Sequence, residues 1–318
     1  MALAPDDETG TVLPGADAPH EALHASLLAW FGSHARDLPW RAADCSPWGV
    51  LVSELMLQQT PVARVEPTWR AWMERWPTPR DLAEASTADV LRAWGRLGYP
   101  RRALRLQECA RTISREHAGI VPSAEDALVA LPGIGAYTAA AVVAFAYRRR
   151  SVVLDTNVRR VLGRLMDGTA LPAPTLTVVE RRRAASLVPV DDARAAAWAA
   201  ASMELGALVC TARAPRCGVC PVAALCRWRA DGYPDDEHAH RRRSQPWTGT
   251  DRQARGRIMA ELRAADHPVP ETELARVWPD HEQRLRALDG LVADGLLVRE
   301  SRHDPDGDLP PTLVSLPR

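Results

Sequence analysis

The chain has 318 residues, of which 46% are hydrophobic and 25% are charged, so it can bury one large core or two modest ones. Its formal net charge is zero, which argues against a uniformly basic coat for nucleic acid. The apolar stretches at 23–31 and 139–147 are too short to span a bilayer, and residues 1–19 lack a secretory signal pattern. We therefore expect a cytoplasmic protein that does not enter a membrane.

All forty basic residues are arginines, so the chain has no lysine side-chain amine. Many of the arginines are clustered, and each cluster could contact phosphates or could simply form a solvated helix face. The clusters are Arg101 with Arg102, Arg148 to Arg150, Arg159 with Arg160, Arg181 to Arg183, and Arg241 to Arg243.

Helical periodicity dominates the chain after an expected disordered tail at 1–19. Apolar residues recur three and four positions apart from residue 20 to about 228, as in Leu23, Leu27 and Phe31, and no convincing alternating runs occur there. This pattern predicts an all-α domain over 20–228.

Two passages in the first half contain polar residues beside apolar helical ones. Residues 38–41 read LPWR, and residues 53–60 read SELMLQQT. Taken alone, Glu54, Gln58 and Gln59 could be solvated side chains on a helix surface, as most such residues are.

The stretch 131–135, LPGIG, predicts a tight turn between two helices. Its glycines, Gly133 and Gly135, leave backbone amides exposed where a helix over 137–147 begins, which suits one phosphate group. The stretch 154–162, LDTNVRRVL, follows it, and Asp155 there is placed to be a helix N-cap.

Four cysteines fall within seventeen residues in the spacing C-x6-C-x2-C-x5-C. Such a set of thiolates suits either a tetrahedral zinc ion or a [4Fe-4S] cluster, and the spacing alone does not choose between them.

The C-terminal part predicts a small separate module. Residues 229–250 are polar and irregular, which indicates a linker, and three short helices follow, of which the second holds Leu274 and Val277 and the third ends at Gly295. Strands are predicted at 296–299 and 312–316, with a turn at 304–307 between them. We therefore predict a winged-helix-like α+β module over 251–318.

The passages at 38–41 and 53–60, the hairpin with the stretch 154–162, and the cysteine spacing together resemble the adenine DNA glycosylases of the endonuclease III superfamily. The resemblance covers about residues 38–226. It implies the helix-hairpin-helix glycosylase fold, with a six-helix part at about 45–148 and an iron-sulfur part formed by 20–44 and 149–228. It also implies a [4Fe-4S] cluster and a double-stranded DNA partner, and thus a nucleoid-associated enzyme.

The resemblance further implies roles for individual residues. Glu54 would protonate the departing adenine while Asp155 supports the cation that forms on the sugar, because adenine is a poor leaving group as an anion. Tyr137 and Asn157 would orient these two carboxyl groups. The implied cluster ligands are Cys210, Cys217, Cys220 and Cys226, and the implied DNA contacts are Trp40, Arg41, Gln58, Gln59, Thr60, Tyr99, Gly133 and Gly135.

The expected activity is therefore a monofunctional glycosylase, acting as a monomer on adenine opposite 8-oxoguanine or guanine. Relatives that also cut the backbone place a lysine where this chain has Tyr137, and without lysine only the terminal amine could replace it. Typical adenine glycosylases sense 8-oxoguanine with a phenylalanine in a Nudix-like C-terminal domain, and this chain has no phenylalanine after Phe145. The alternatives are a thymine- or uracil-mismatch glycosylase of the same fold, or a non-enzymatic iron-sulfur DNA-binding regulator.

Overall fold

Helices make up most of the computed structural model, which describes residues 18–237, 239–241, 247–300 and 312–318. Most of the predicted tail at 1–19 lies outside the described residues. The α-helices are α1 (Ala18–His34), α2 (Pro47–Leu57), α3 (Val62–Arg75), α4 (Pro79–Glu84), α5 (Thr87–Trp94), α6 (Arg101–Glu116), α7 (Glu125–Val129), α8 (Ala136–Ala146), α9 (Thr156–Leu162), α10 (Val178–Leu187), α11 (Asp192–Leu208), α12 (Arg227–Ala230), α13 (Asp251–Ala264) and α14 (His281–Ala293). Short 3-10 helices are Pro39–Arg41, Cys217–Val219, Ala223–Leu225, Ala239–Arg241 and Glu271–Arg276, and Gly163–Asp167 is a π-helix. The all-α prediction for 20–228 is confirmed.

Local side-chain caps explain where several of these helices begin. The Ser46 hydroxyl accepts a hydrogen bond from the Gly49 amide at 3.1 Å, and Pro47 fills the first position of α2, which has no need of an amide donor. Thr78 and Asp81 form a reciprocal capping box at the start of α4. None of the described helices combines the length and apolar character that crossing a bilayer demands.

The described residues fall into two compact units. The first unit consists of the described residues of 1–36 and 152–241. Helix α11 is its centre, because both α1 and α9 pack against it. Its buried Glu204 receives two hydrogen bonds from the Arg36 guanidinium, at 2.8 and 2.7 Å, and one from the Arg36 backbone amide at 2.9 Å. This ion pair fixes the chain at the end of the segment that contains α1.

The second unit consists of the described residues of 37–151 and 242–318. Its core contains edge-to-face tryptophans, with the ring centroids of Trp72 and Trp94 5.5 Å apart. Buried side chains of the C-terminal segment, including Ile258 and Leu288, belong to the same hydrophobic cluster as these tryptophans. Helix α13 packs on α5, so the C-terminal module and the helices of 37–151 share one core. The boundaries expected at 45, 148 and 228 stay predictions.

The described part of the C-terminal module contains one more strand than the sequence suggested. Its strands are β1 (Val269–Pro270), β2 (Val298–Glu300) and β3 (Leu313–Ser315), and β3 lies between the other two in an antiparallel sheet. The predicted second helix is a 3-10 helix, Glu271–Arg276, which begins directly after β1, holds Leu274 and ends before Val277. The predicted end of α14 is confirmed, since Gly295 has φ +69° and its amide bonds the Val292 carbonyl. The turn predicted at 304–307 lies outside the described residues.

Candidate active site and iron-sulfur loop

Glu54 is a buried carboxyl group in the second unit, with only 5% of the residue exposed. It lies in α2, and the packing of α8 on α2 brings Tyr137 to it. The Tyr137 hydroxyl donates to Glu54 Oε2 at 2.9 Å. A carboxyl group that is shielded from water and oriented by a hydroxyl can deliver a proton to a substrate nitrogen.

The hairpin before α8 depends on glycine at one position rather than two. Gly133 has φ +79°, and a Cβ there would lie 2.8 Å from the Cβ of Arg105. Gly135 has φ −98°, and a Cβ there would meet no atom within 4 Å. Gly135 is instead the N-cap of α8, and as a glycine it supplies no side-chain cap. Of the two glycines, only Gly133 therefore has a conformation that disfavours other residues, and the phosphate contact at this turn stays a prediction.

Asp155 is the N-cap of α9 in the first unit, which confirms that part of the sequence interpretation. Its Oδ1 accepts from the Val158 amide at 2.7 Å, and its Oδ2 accepts from Asn157 Nδ2 at 2.8 Å. Burial raises the pKa of Asp155, while these hydrogen bonds and the charge of Arg160 favour the ionised form and oppose the rise. The carboxylate is therefore held in one orientation by its own helix.

The same hydrogen-bond chain connects Asp155 to the cysteine-rich loop. Arg160 Nη2 donates to Asn157 Oδ1 at 2.8 Å, and Arg160 Nε donates to the carbonyl oxygen of Cys210 at 2.7 Å. The cysteine loop thus helps to hold the amide that orients the carboxylate.

Two turns of the second unit hold non-glycine residues in the left-handed region. Gln59 has φ +56° and Tyr99 has φ +46°, conformations that cost free energy for residues with a Cβ. Arg102, which is 8% exposed, binds both turns through its guanidinium. Its acceptors are the carbonyl oxygens of Leu55, Met56, Gln58, Leu97 and Gly98 and the hydroxyl of Thr60.

The remaining residues expected to contact DNA differ in their accessibility. Tyr99 is 42% exposed, whereas Thr60 is buried and its hydroxyl donates to the Leu97 carbonyl at 3.1 Å. Trp40 is also buried and packs edge-to-face on Trp69, with ring centroids 5.8 Å apart. Thr60 thus supports the neighbouring backbone and Trp40 packs in the core, and their DNA contacts stay predictions.

The arginines of the predicted clusters differ in burial and in pairing among the described residues. Within the clusters, Arg102 and Arg160 are buried, while Arg148 to Arg150 are exposed. Three others form ion pairs, namely Arg101 with Asp294, Arg159 with Glu180, and Arg183 with Asp167. Arg242 and Arg243 lie outside the described residues, and only the backbone of Arg241 is described. The prediction that cluster arginines contact phosphates is therefore wrong for Arg102 and Arg160. These two side chains hold the protein's own backbone instead.

Cys210, Cys217, Cys220 and Cys226 line one cavity in the first unit, together with apolar side chains such as Val161 and Leu165. The four thiols lie around this cavity and not around a single point. Among the described residues, no three Cys, His, Asp or Glu side chains are close enough together to bind one metal ion. In a four-iron cube each thiolate binds a different iron, so a ring of soft thiolates around an apolar cavity fits that group. The Arg164 guanidinium donates to Cys210 Sγ at 3.3 Å and supplies a positive charge beside it.

The structure divides the predicted site residues between the two units. Glu54, Tyr137, Tyr99 and the residues at 40–41, 58–60 and 133–135 belong to the second unit, whereas Asp155, Asn157 and the cysteines belong to the first. Sequence reasoning missed the structural role of Arg102. A signal was present, because Arg102 lies on the apolar face of α6, four residues before the buried Leu106.

Comparison with known proteins shows matches over most of the chain. Residues 52–182 match the HhH-GPD superfamily of base excision DNA repair proteins, and residues 210–226 match the iron-sulfur binding domain of endonuclease III. An adenine DNA glycosylase of Mycobacterium tuberculosis is 52% identical over 90% of this chain and 93% of its own length. One of Mycolicibacterium smegmatis is 54% identical over 85% of this chain and 91% of its own length. The structure of a thermostable thymine-DNA glycosylase is 25% identical with a TM-score of 0.61, and the match covers 68% of this chain and 98% of that one.

Proposed function

Because this chain belongs to the adenine DNA glycosylase family, we propose that it hydrolyses the glycosidic bond of adenine mispaired with 8-oxoguanine or guanine. The family consists of base excision repair enzymes that carry a [4Fe-4S] cluster. We propose further that it acts as a monomer and cuts no DNA strand. The observation that carries the proposal is the buried Glu54 carboxyl group with its hydrogen bond from Tyr137.

The proposed reaction divides its work between two carboxyl groups. Glu54, when protonated, donates its proton to a ring nitrogen of the extruded adenine, so that the base leaves as a neutral molecule. Asp155, when ionised, stabilises the positive charge that develops on the sugar, and water then completes hydrolysis. Tyr137 and Asn157 hold these two groups in orientation through the hydrogen bonds already described.

Tyr137 also supports the monofunctional assignment. Strand cleavage in this fold needs an amine that forms a Schiff base with the sugar, and the chain contains no lysine. The Tyr137 hydroxyl instead donates to Glu54.

Cys210, Cys217, Cys220 and Cys226 are the proposed ligands of the iron-sulfur cluster. When bound, the cluster would cross-link the loop 210–226 through four iron-thiolate bonds. The loop carbonyl of Cys210 accepts from Arg160, which in turn holds Asn157. Holding this loop in place therefore favours the orientation of Asp155 that the chemistry needs.

The test uses purified protein and duplexes with a central adenine opposite 8-oxoguanine, adenine opposite guanine, or thymine opposite guanine. Adenine should be released and strands should break only after alkali, since abasic sites are alkali-labile. Release of thymine alone would favour the mismatch-glycosylase alternative, and strand breakage before alkali would contradict the monofunctional assignment.

The variant Asp155→Asn separates an enzyme from a DNA-binding regulator. We expect it to bind the mispaired duplex as the parent does and to lose adenine release, because the amide cannot stabilise the sugar cation. A parent protein that binds the duplex but releases no base would favour the regulator. Light scattering on the purified protein tests the monomer, and the nucleoid-associated location stays a prediction.

A further inference from the structure

Arg252, from the first turn of α13, contacts the ring of Tyr99. Its guanidinium carbon is 4.8 Å from the centroid of the Tyr99 ring, and its Nη2 donates to the Tyr99 hydroxyl oxygen at 2.8 Å. The two residues are 153 positions apart in the sequence and meet because α13 packs against the helices of 37–151. The C-terminal module therefore contributes directly to the surroundings of Tyr99.

Arg252 differs from its neighbour Arg255 in how its charge is used. Arg255 forms an ion pair with Asp294 and is partly buried. Arg252 is exposed, and no carboxylate among the described residues forms an ion pair with it. Its guanidinium also lies 5.4 Å from the ring centroid of Trp247, whose side chain is 51% exposed. An arginine charge on two exposed aromatic rings remains available for an anion outside the protein.

Tyr99 is held from within the protein as well. Its left-handed backbone is anchored by Arg102, whose guanidinium carbon lies 5.5 Å from the centroid of the Tyr99 ring. The ring thus has contacts with one buried and one exposed guanidinium while remaining 42% exposed. This arrangement fixes both the backbone and the direction of an aromatic side chain that faces solvent.

We propose that Arg252 is a positioning residue for Tyr99, and that Arg252 and Trp247 extend the DNA-contacting surface of Tyr99 onto the C-terminal module. The partner of this surface is duplex DNA beside the extruded base. Arg252 meets a backbone phosphate there, and the aromatic rings meet unstacked bases. The proposal rests on the proposed function, and it takes Tyr99, one of the DNA contacts that the resemblance implies, as the residue that stacks on the bases beside the extruded adenine.

The test measures base extrusion with 2-aminopurine, a fluorescent adenine analogue, placed opposite 8-oxoguanine in a duplex. The fluorescence rises when the analogue leaves the stack. We expect Arg252→Ala to lower the equilibrium constant for extrusion about tenfold, the scale of one lost stacking contact. Arg257→Ala is the matched control, because Arg257 is an exposed arginine of the same helix whose aromatic contact is with Trp278 instead. It should extrude the base as the parent does.

A double-mutant cycle with Tyr99→Ala distinguishes positioning from general damage to the module. In the Tyr99→Ala background, Arg252→Ala should cause a clearly smaller loss, that of its phosphate contact alone, because the residue that it positions is already gone. Equal losses in both backgrounds would overturn the proposal, as would equal losses for Arg252→Ala and Arg257→Ala. If the parent protein itself failed to raise the fluorescence, the proposed function would fall, and this inference with it.

Discussion

Arg102 should contribute strongly to the stability of the second unit, because it holds the two turns that contain Gln59 and Tyr99. Its guanidinium binds five backbone carbonyls and the Thr60 hydroxyl. Two of these carbonyls, from Leu55 and Met56, belong to the last turn of α2 and have no partner within that helix. Burial lowers the pKa of Arg102 to about 10, which still leaves it protonated at neutral pH. The charge therefore stays in place and holds the turns that contain Gln59 and Tyr99.

The variant Arg102→Leu keeps the apolar packing and removes every donor. A hydrogen bond from a charged group contributes about 1.5–3 kcal/mol, and breaking a buried charged contact costs about 3–5 kcal/mol. We expect local destabilisation of about 3 kcal/mol, because water can replace part of what is lost at the partly exposed turns. The variant Arg102→Lys keeps the charge, but one ammonium group cannot span both turns. Its expected cost is about half as large.

Hydrogen exchange measured by mass spectrometry on the cluster-containing protein tests this magnitude without requiring reversible unfolding. The Thr60 amide, which bonds the Leu57 carbonyl, and the Arg102 amide, which bonds the Tyr99 carbonyl, report on the two turns. A loss of about 3 kcal/mol corresponds to exchange faster by a factor of roughly 100. Arg115→Leu is the control on the same helix, because Arg115 is exposed and its ion pair among the described residues is with its exposed neighbour Glu116. Exchange in Arg102→Leu that matched this control would refute the argument.

Three further predictions concern the proposed chemistry. Glu54→Gln should slow adenine release at least about 100-fold with unchanged duplex binding in single-turnover assays, since it removes the proton donor, and a normal rate would contradict that role. Asn157→Leu removes a hydrogen bond that favours ionised Asp155, so the pKa of Asp155 should rise further. The acid limb of the rate of adenine release, recorded between about pH 4 and 8, should then move to higher pH. An unmoved limb would mean that Asp155 does not govern it. Cys217→Ser should lose iron and the brown absorbance of the cluster, measured by iron analysis and visible spectroscopy, and full iron content would remove Cys217 from the ligands.

Local features of the structure follow closely from the sequence. The N-cap role of Asp155, the turn at Gly133 and the end of α14 at Gly295 each depend on residues within a few positions of one another. Capping and left-handed turns are decided by short-range hydrogen bonds and by the Cβ of a single residue, so a pattern of neighbours is enough to predict them. The short β1 strand was missed because two residues carry no periodic signal and pair only with a strand far along the chain.

The contacts that position the candidate site depend on tertiary structure. Tyr137 reaches Glu54 across 83 positions, and Arg252 reaches Tyr99 across 153. In the sequence, Arg102 is one of two adjacent arginines. The packing of α6 on α2 places its guanidinium beside backbone carbonyl groups that lack a partner within α2. The sequence alone determined which reactive side chains this protein has, how the cysteines are spaced, and where local caps and turns form. Packing decided which arginines are buried and which remain available to DNA, because the cost of burying a charge depends on partners that are distant in sequence.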